Sequence, residues 1–224
     1  MFLIILRTVC RIIVKIIARV EIEGYENVPT EGAAIAVSNH IGRLDAMLGV
    51  ILSDRTDFVL FVADKYATSA VWRWVVRNLD AIWLNREEMD LKAMRAVQKR
   101  LGEGQILMIA PEGTRSASGT MIPAKPGAAY LATKSNLPIL PIGITGTEDA
   151  IVKARLKRFQ RLDIHIRVGE PFLLPKLDRK RRDEQLAEFT DEIMCQIGML
   201  VPETHHGVYA DHPRLAELQA ATVS

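Results

Sequence analysis

A histidine and an aspartate five residues apart, His40 and Asp45, are the best candidates in this 224-residue chain for acid–base chemistry. A neutral imidazole takes up a proton near pH 7 when a carboxylate holds its other ring nitrogen. On a straight helix a five-residue step turns the second side chain away from the first. We therefore expect His40 in the turn before a helix and Asp45 in that helix's first turn. The pair alone is a weak pattern, and a purely structural histidine is the alternative.

The flanking residues favour this arrangement. The run Ala34–Ser38 is apolar and partly β-branched, as in a buried strand, and residues 46–48 are good helix formers. Ser38 or Asn39 is a suitable helix cap. His40 is thus predicted at the end of a strand, facing solvent or substrate.

A second motif, Pro111–Arg115 (PEGTR), follows the apolar run 105–110 and occupies the loop after a predicted strand. Ligands of α/β sheets bind at such loops. Gly113 allows close backbone approach, Thr114 offers a hydroxyl, and Arg115 offers a guanidinium suited to phosphate. Glu112 is expected to fix a neighbouring cation or a substrate hydroxyl. The alternative is a structural turn in which Glu112 and Arg115 pair on the surface.

Alternating periodicities predict one α/β domain, residues 22–207, with a mostly parallel or mixed central sheet flanked by helices. In strand 161–169, His165 falls on the polar face, and His205 and His206 lie in a segment predicted to be exposed. Residues 208–224 are predicted to form a tail. The predicted strands are 34–38, 57–64, 81–86, 105–110, 137–146 and 161–169, and the predicted helices are 66–79, 91–104, 127–136 and 178–193.

The first 21 residues are predicted to form a basic amphipathic helix at a membrane interface. A cation recurs every fourth position, at Arg7, Arg11, Lys15 and Arg19. These charges are too costly for the centre of a bilayer, and they run through the apolar segment instead of preceding it as in a signal peptide. We expect the isoleucines and leucines in the acyl boundary, with the basic stripe at anionic head groups. The alternative is a helix packed on the protein's own core.

Composition limits the function classes. The formal net charge of +2 does not favour nucleic acid as a partner. Two well-separated cysteines, Cys10 and Cys195, provide no disulfide framework, which favours a reducing, cytoplasmic location at the membrane face. The sequence shows no metal-ligand cluster and no nucleophile elbow, which disfavours a hydrolase.

Four segments, in order and spacing, resemble the motif blocks of the glycerophospholipid acyltransferases, and most of all those of the bacterial lysophosphatidic acid acyltransferases. They are Asn39–Asp45, Ala81–Arg86, Pro111–Ser116 and Leu137–Ile142. The resemblance implies acyl transfer from acyl-CoA or acyl carrier protein to the free hydroxyl of lysophosphatidic acid, which gives phosphatidic acid without a cofactor or metal. Another lyso-lipid acceptor, or a lipid-binding protein without catalysis, are the alternatives.

The resemblance also assigns roles to residues. His40 is the general base and Asp45 its orienting acid, while Arg86 and Glu112, Gly113, Thr114 and Arg115 surround the acceptor phosphate. Lys65, with a backbone N–H near Gly113, is a candidate donor to the thioester oxyanion. The chain departs from the family pattern at Gly42, Arg43, Asp80, Trp83 and Asn85, which leaves the acceptor head group open.

A long acyl chain requires an apolar groove near His40. We expect its walls to be the N-terminal helix and the helix that carries Trp72 and Trp74, of which Trp72 is predicted to face the core.

Overall fold

A mixed sheet of seven strands organises the described part of the chain. The computed structural model describes residues 2–85 and 90–223. The strands are β1 (Ala18–Glu23), β2 (Ala34–Ser38), β3 (Phe58–Ala63), β4 (Ile82–Leu84), β5 (Ile106–Ile109), β6 (Ile139–Thr145) and β7 (Leu162–Val168). The helices are α1 (Phe2–Ile17), α2 (Asp45–Leu52), α3 (Ala70–Leu79), α4 (Leu91–Gly102), α5 (Gly127–Ser135), α6 (Asp149–Lys157), α7 (Arg182–Gly198) and α8 (Pro213–Val223). The predicted α/β class and mixed sheet are confirmed.

Strand directions bring the motif-bearing loops to one side of the sheet. The strand order is β1-β7-β6-β2-β5-β3-β4. Strands β6, β2, β5, β3 and β4 run in the same direction, and β7 is antiparallel to β6 but parallel to β1. We call the side at which these five strands end the carboxyl edge. Because β1 and β7 run the opposite way, they begin at this same edge.

Helices cover both faces of the sheet, as the two-residue alternation along β2 requires. Ile35 and Val37 point to the face covered by α4, α5 and α7, whereas Ala34 and Ala36 point to the face covered by α1 and α2. Along β7 the same alternation leaves His165 exposed, where its Nδ1 lies 3.0 Å from Glu21. The polar face predicted for His165 is confirmed.

Helix α1 packs differently from the prediction. It ends at Ile17, because the residues from Ala18 onward pair with β7, so Arg19 lies on a strand. Side chains are described from Arg7 onward. Arg7 and Arg11 turn inward and donate to backbone carbonyls at the end of α2, with Arg11 Nη2 2.7 Å from the Ser53 oxygen. These two cations therefore cap α2, which leaves the head-group role predicted for the stripe to Lys15 and Arg19.

The outward face of α1 is apolar. Val9, Ile12, Ile13 and Ile16 are exposed, Ile16 by 66% of its surface, whereas Val14 and Ile17 pack on the core. The helix thus lies half on the domain and presents the other half of its apolar side chains to solvent. No helix of the described residues is both long and apolar enough to cross a membrane.

Helix α3 is less buried than the sequence predicts. In α3 only Val76 is buried, while Trp72 stacks on Tyr66 with ring centroids 5.1 Å apart and Trp74 is 50% exposed. Trp72 is therefore not part of the core.

The segment predicted to be an exposed tail belongs to the packed domain. Helix α8 packs on α7 and buries Leu215. His206 is buried with its Nε2 2.9 Å from the Gly198 oxygen, and His205 Nε2 lies 2.9 Å from Glu148 Oε1. Both histidines therefore fasten this segment to the domain.

Candidate active site

His40 and Asp45 meet at the carboxyl edge as the sequence predicts. His40 follows β2, and Asp45 is the first residue of α2. His40 Nδ1 lies 2.9 Å from Asp45 Oδ2, which also accepts the backbone N–H groups of Ile41 and Gly42, each at 2.8 Å. Three donors on one buried oxygen fix the position of the carboxylate. With the proton on Nδ1, Nε2 carries a lone pair, and it has no hydrogen-bonding partner within the described residues.

The turn between His40 and Asp45 depends on a close backbone approach. A Cβ at Gly42 would lie 1.8 Å from the Thr147 oxygen. Glycine at this position therefore follows from the packing of the turn against the loop after β6. The predicted cap at Ser38 or Asn39 is wrong, because α2 begins without a side-chain cap.

Asn39 anchors this turn to β6 instead. It is fully buried, and its side chain exchanges two hydrogen bonds of 2.8 Å with the N–H and the carbonyl of Ile144. The amide side chain thus continues the pairing of β2 with β6 by one further step. This fixes the backbone from which His40 projects.

The two motifs are joined directly by hydrogen bonds. The His40 N–H donates to Glu112 Oε1 at 2.9 Å, and the Ser116 N–H donates to the His40 oxygen at 2.8 Å. Strands β2 and β5 are neighbours, so these bonds continue their pairing beyond the strand ends. Glu112 forms no ion pair with a cation of the described residues and instead holds the backbone of the candidate base. A contact of Glu112 with a substrate hydroxyl stays a prediction.

Burial dominates the electrostatics of Glu112. The residue is 2% exposed, and its Oε2 is buried without a hydrogen-bonding partner. Desolvation, with a smaller contribution from the negative charge of Asp45, raises the pKa of Glu112 to about 7 against the opposing effects of the His40 and Ile122 N–H groups.

The PEGTR loop places Arg115 in an ion-pair cluster. Asp149, the first residue of α6, binds the Arg115 guanidinium. It also lies 3.4 Å from the Arg43 guanidinium and accepts the Arg43 N–H at 3.1 Å. A single carboxylate therefore holds two guanidiniums together beside the dyad, with one positive charge in excess. The surface pairing of Glu112 with Arg115, considered above, does not occur.

Other predicted phosphate and oxyanion groups are placed as follows. Gly113 has φ +69°, which suits glycine, but its N–H already donates to the Ala110 oxygen at 3.0 Å. That N–H is committed to the turn and is not available to an oxyanion. Thr114 is exposed. Arg86 lies outside the described residues.

Lys65 follows β3 at the same edge and is exposed, with its Nζ 5.2 Å from the centre of the Tyr66 ring. Strand β5 lies between β3 and β2, so the two strand axes are separated by about 10 Å. The oxyanion role of Lys65 stays a prediction.

An apolar cavity lies between the sheet and α2. Small residues on both sides create the space: Ala36 and Ser38 on β2, and Gly49 on α2. Ser38, two residues before His40, lines one end, and Tyr25 and Val168 lie toward the other edge of the sheet. His40 is not among the lining residues, so a groove that reaches His40 stays a prediction. The predicted walls are wrong for this cavity, because α2 and the sheet line it instead of α1 and α3.

Sequence reasoning missed Asn39 and Asp149 as site residues. Asn39 belongs to the first motif block, but the sequence gives it no role except that of a possible helix cap. Asp149 lies 104 residues beyond Asp45 in the chain (149 − 45). Only the adjacency of β6 and β2 brings it to the dyad. An acidic residue at a helix start after a strand was the available signal.

Comparison with known proteins finds relatives of similar sequence. The chain is 24% identical to the 1-acyl-sn-glycerol-3-phosphate acyltransferase of Borreliella burgdorferi, over 80% of this chain and 72% of the relative. It is 32% identical to the alpha form of that enzyme in Mus musculus, over 89% of this chain. The chain spans only 60% of the mouse protein's length.

A solved structure resembles the fold as well. The 1-acyl-sn-glycerophosphate acyltransferase of Thermotoga maritima matches with a TM-score of 0.57 and 25% identity, over 80% of this chain and 73% of that one. The Acyltransferase family model matches residues 19–145, more than half of the chain. That stretch contains His40, Asp45 and the whole PEGTR loop, and the chain accordingly belongs to the acyltransferase family.

Proposed function

We propose that this enzyme transfers an acyl chain from acyl-CoA or acyl carrier protein to the free hydroxyl of lysophosphatidic acid, giving phosphatidic acid. The observation that carries the proposal is the His40–Asp45 pair at 2.9 Å, with Nε2 unpaired among the described residues. Ser38, two residues before His40, lines an apolar cavity. The names of the relatives from Borreliella burgdorferi and Mus musculus support the acceptor.

The chemistry follows from the orientation of the imidazole. Nε2 of His40 takes the proton of the acceptor hydroxyl as the hydroxyl oxygen bonds to the thioester carbonyl carbon. Asp45 stabilises the imidazolium that forms. The carbon–sulfur bond then breaks, and the thiolate takes the proton back from His40. Because the nucleophile is the substrate's own hydroxyl, no serine or cysteine of the chain forms an acyl intermediate.

Arg115 is proposed to bind the acceptor phosphate, with Arg43 beside it. Asp149 neutralises one of the two guanidinium charges and holds both groups in place. A phosphate monoester of about −2 charge is a stronger partner for a guanidinium than one shared carboxylate. The family resemblance assigns four further residues to the same phosphate: Arg86, Glu112, Gly113 and Thr114. For Glu112 the buried position supports a positioning role instead.

The apolar cavity is proposed to hold the acyl chain of the donor. Ser38, which lines one end of the cavity, is two residues before His40 in the sequence. A thioester whose carbonyl lies at His40 then has an apolar space nearby for its acyl group. We also propose that the enzyme associates peripherally with the cytoplasmic face of the membrane through the exposed isoleucines of α1. Such a position gives the site access to a lipid acceptor.

An acceptor panel tests the proposal. The full chain is incubated with acyl-CoA or acyl carrier protein thioester and with lysophosphatidic acid, lysophosphatidylglycerol or lysophosphatidylcholine, and the products are quantified. We expect phosphatidic acid as the main product. A clear preference for another lyso-lipid would refute the acceptor, and free fatty acid released without an acceptor would indicate a hydrolase.

A matched pair of arginine variants tests the phosphate site. Arg115→Gln should raise the KM for lysophosphatidic acid about tenfold or more while leaving the KM for the thioester nearly unchanged. Arg167→Gln is the control, because Arg167 is also paired with a carboxylate, Glu23 at 3.0 Å, but lies on β7 away from the dyad. Equal effects of the two variants would contradict the assignment.

A further inference from the structure

The turn between α6 and β7 exposes an aromatic side chain completely. Phe159 is 99% exposed and has φ +54°, in the left-handed region. Two hydrogen bonds define the turn: Gln160 N–H donates to the Arg155 oxygen at 3.0 Å, and Phe159 N–H donates to the Leu156 oxygen at 3.2 Å. This is a Schellman ending, in which the left-handed position is usually glycine.

Phenylalanine is unfavourable at this position for two independent reasons. A bulky residue with positive φ is strained, and a fully exposed ring leaves its whole apolar surface in water. Glycine or asparagine would remove both costs without changing the turn. A residue that is poor for folding at such a site indicates a role in binding.

The surroundings of Phe159 are strongly basic. Lys157, Arg158 and Arg161 flank it in sequence and are exposed. Lys157 and Arg158 form no ion pair among the described residues. Arg19, Arg155, Gln160 and Arg161 line a hollow beside the turn, where Asp163 lies 2.6 Å from Arg155 and 3.9 Å from Arg19. An apolar tip ringed by cations is the pattern of a segment that inserts into an anionic lipid surface.

The turn lies at the carboxyl edge, close to the exposed face of α1. Ala18 pairs with Leu162, so the start of β7 lies beside the end of α1. Arg161 joins the two elements, since its side chain donates to the Lys15 oxygen at 2.6 Å and to the Ala18 oxygen. The edge that carries the dyad therefore also carries Phe159 and the C-terminal end of α1, whose exposed apolar face includes Ile16.

We propose that the turn Lys157–Arg161 is a second membrane anchor, in which Phe159 inserts among acyl chains while Lys157 and Arg158 contact anionic head groups and Arg161 holds the turn against the end of α1. The turn and α1 then form one lipid-binding surface that brings the carboxyl edge to the bilayer. This proposal does not depend on the proposed acyl transfer, because vesicle binding is measured without acyl donor or acceptor.

Vesicle co-sedimentation of the full chain tests the anchor. Phe159→Asn should lower the affinity for vesicles of phosphatidylcholine and phosphatidylglycerol by about tenfold or more. Because asparagine accepts positive φ, this variant should melt at or above the wild-type temperature. Phe159→Trp, which keeps an aromatic ring at this position, should bind vesicles as the wild type does. The matched control is Leu173→Asn, which removes an exposed apolar side chain from a position after the end of β7, at the opposite edge.

The charges give a second readout. The double substitution Lys157→Gln and Arg158→Gln should reduce the preference for phosphatidylglycerol-containing over pure phosphatidylcholine vesicles by about fivefold for each charge. Unchanged vesicle affinity of Phe159→Asn would overturn the proposal. So would a charge variant that binds vesicles normally but shows a raised KM for acyl carrier protein alone, since the surface would then be a carrier-protein site.

Discussion

Glu112→Gln should abolish a pH dependence of stability that the buried carboxyl creates. Burial raises the pKa of Glu112 from 4.5 to about 7 in the folded protein. Between these values the folded state binds more protons than the unfolded state, so the free energy of unfolding falls as pH rises. At 1.36 kcal/mol for each pKa unit, the loss is about 3 kcal/mol across this window.

The glutamine variant preserves the hydrogen bond that matters for the site. Its Oε1 still accepts the His40 N–H, whereas the group that replaces the unpartnered Oε2 is uncharged. Burying its N–H groups unpaired costs about 1–3 kcal/mol, but this cost does not vary with pH. The difference in pH dependence therefore isolates the titration of Glu112.

Urea unfolding of both proteins at pH values from 4.5 to 8 provides the assay. The stability of the wild type, relative to Glu112→Gln, should fall by about 3 kcal/mol over this range. Glu26→Gln, at an exposed site, should follow the wild-type curve. Parallel curves for wild type and Glu112→Gln would refute the assignment of a buried, neutralised carboxyl behind His40.

Three further variants address the dyad, the turn and the cavity. Asp45→Asn should lower kcat by about 10²-fold or more with little change in KM, because the imidazole loses its orienting charge. Steady-state kinetics that show kcat and KM changing by similar factors would contradict this. Gly42→Ala should destabilise the fold by about 1–3 kcal/mol, measured by urea unfolding, because its Cβ would meet the Thr147 oxygen. Gly49→Leu should shift the preference toward shorter acyl-CoA chains, because it fills the cavity; an unchanged chain-length profile would exclude the cavity as the acyl site.

The features that the sequence predicts well are local or periodic. The dyad geometry follows from a strand, a turn and the start of a helix within residues 34–45. The central strands follow from short apolar runs, and β7 follows from its two-residue alternation. Strand β7 illustrates this, since its buried and exposed residues alternate along its whole length.

The features that the sequence does not predict depend on long-range packing. The pairing of Asp149 with Arg115 requires the order of strands in the sheet, which local patterns do not specify. The apolar stripe of α3 resembles a core face, yet Trp72 stacks only on Tyr66 among the described residues and stays 39% exposed. The arginines of α1 suggested a lipid-facing stripe, whereas Arg7 and Arg11 satisfy the carbonyls that end α2. For the arginines the partner is distant in sequence.

The central claim is that His40, held by Asp45, is the general base of acyl transfer. Its most direct test is the rate of phosphatidic acid formation by His40→Ala, measured with saturating acyl donor and lysophosphatidic acid, after unfolding curves show that the variant is folded. The account predicts a loss of about 10²-fold or more in kcat. A folded His40→Ala variant with near wild-type kcat would contradict it.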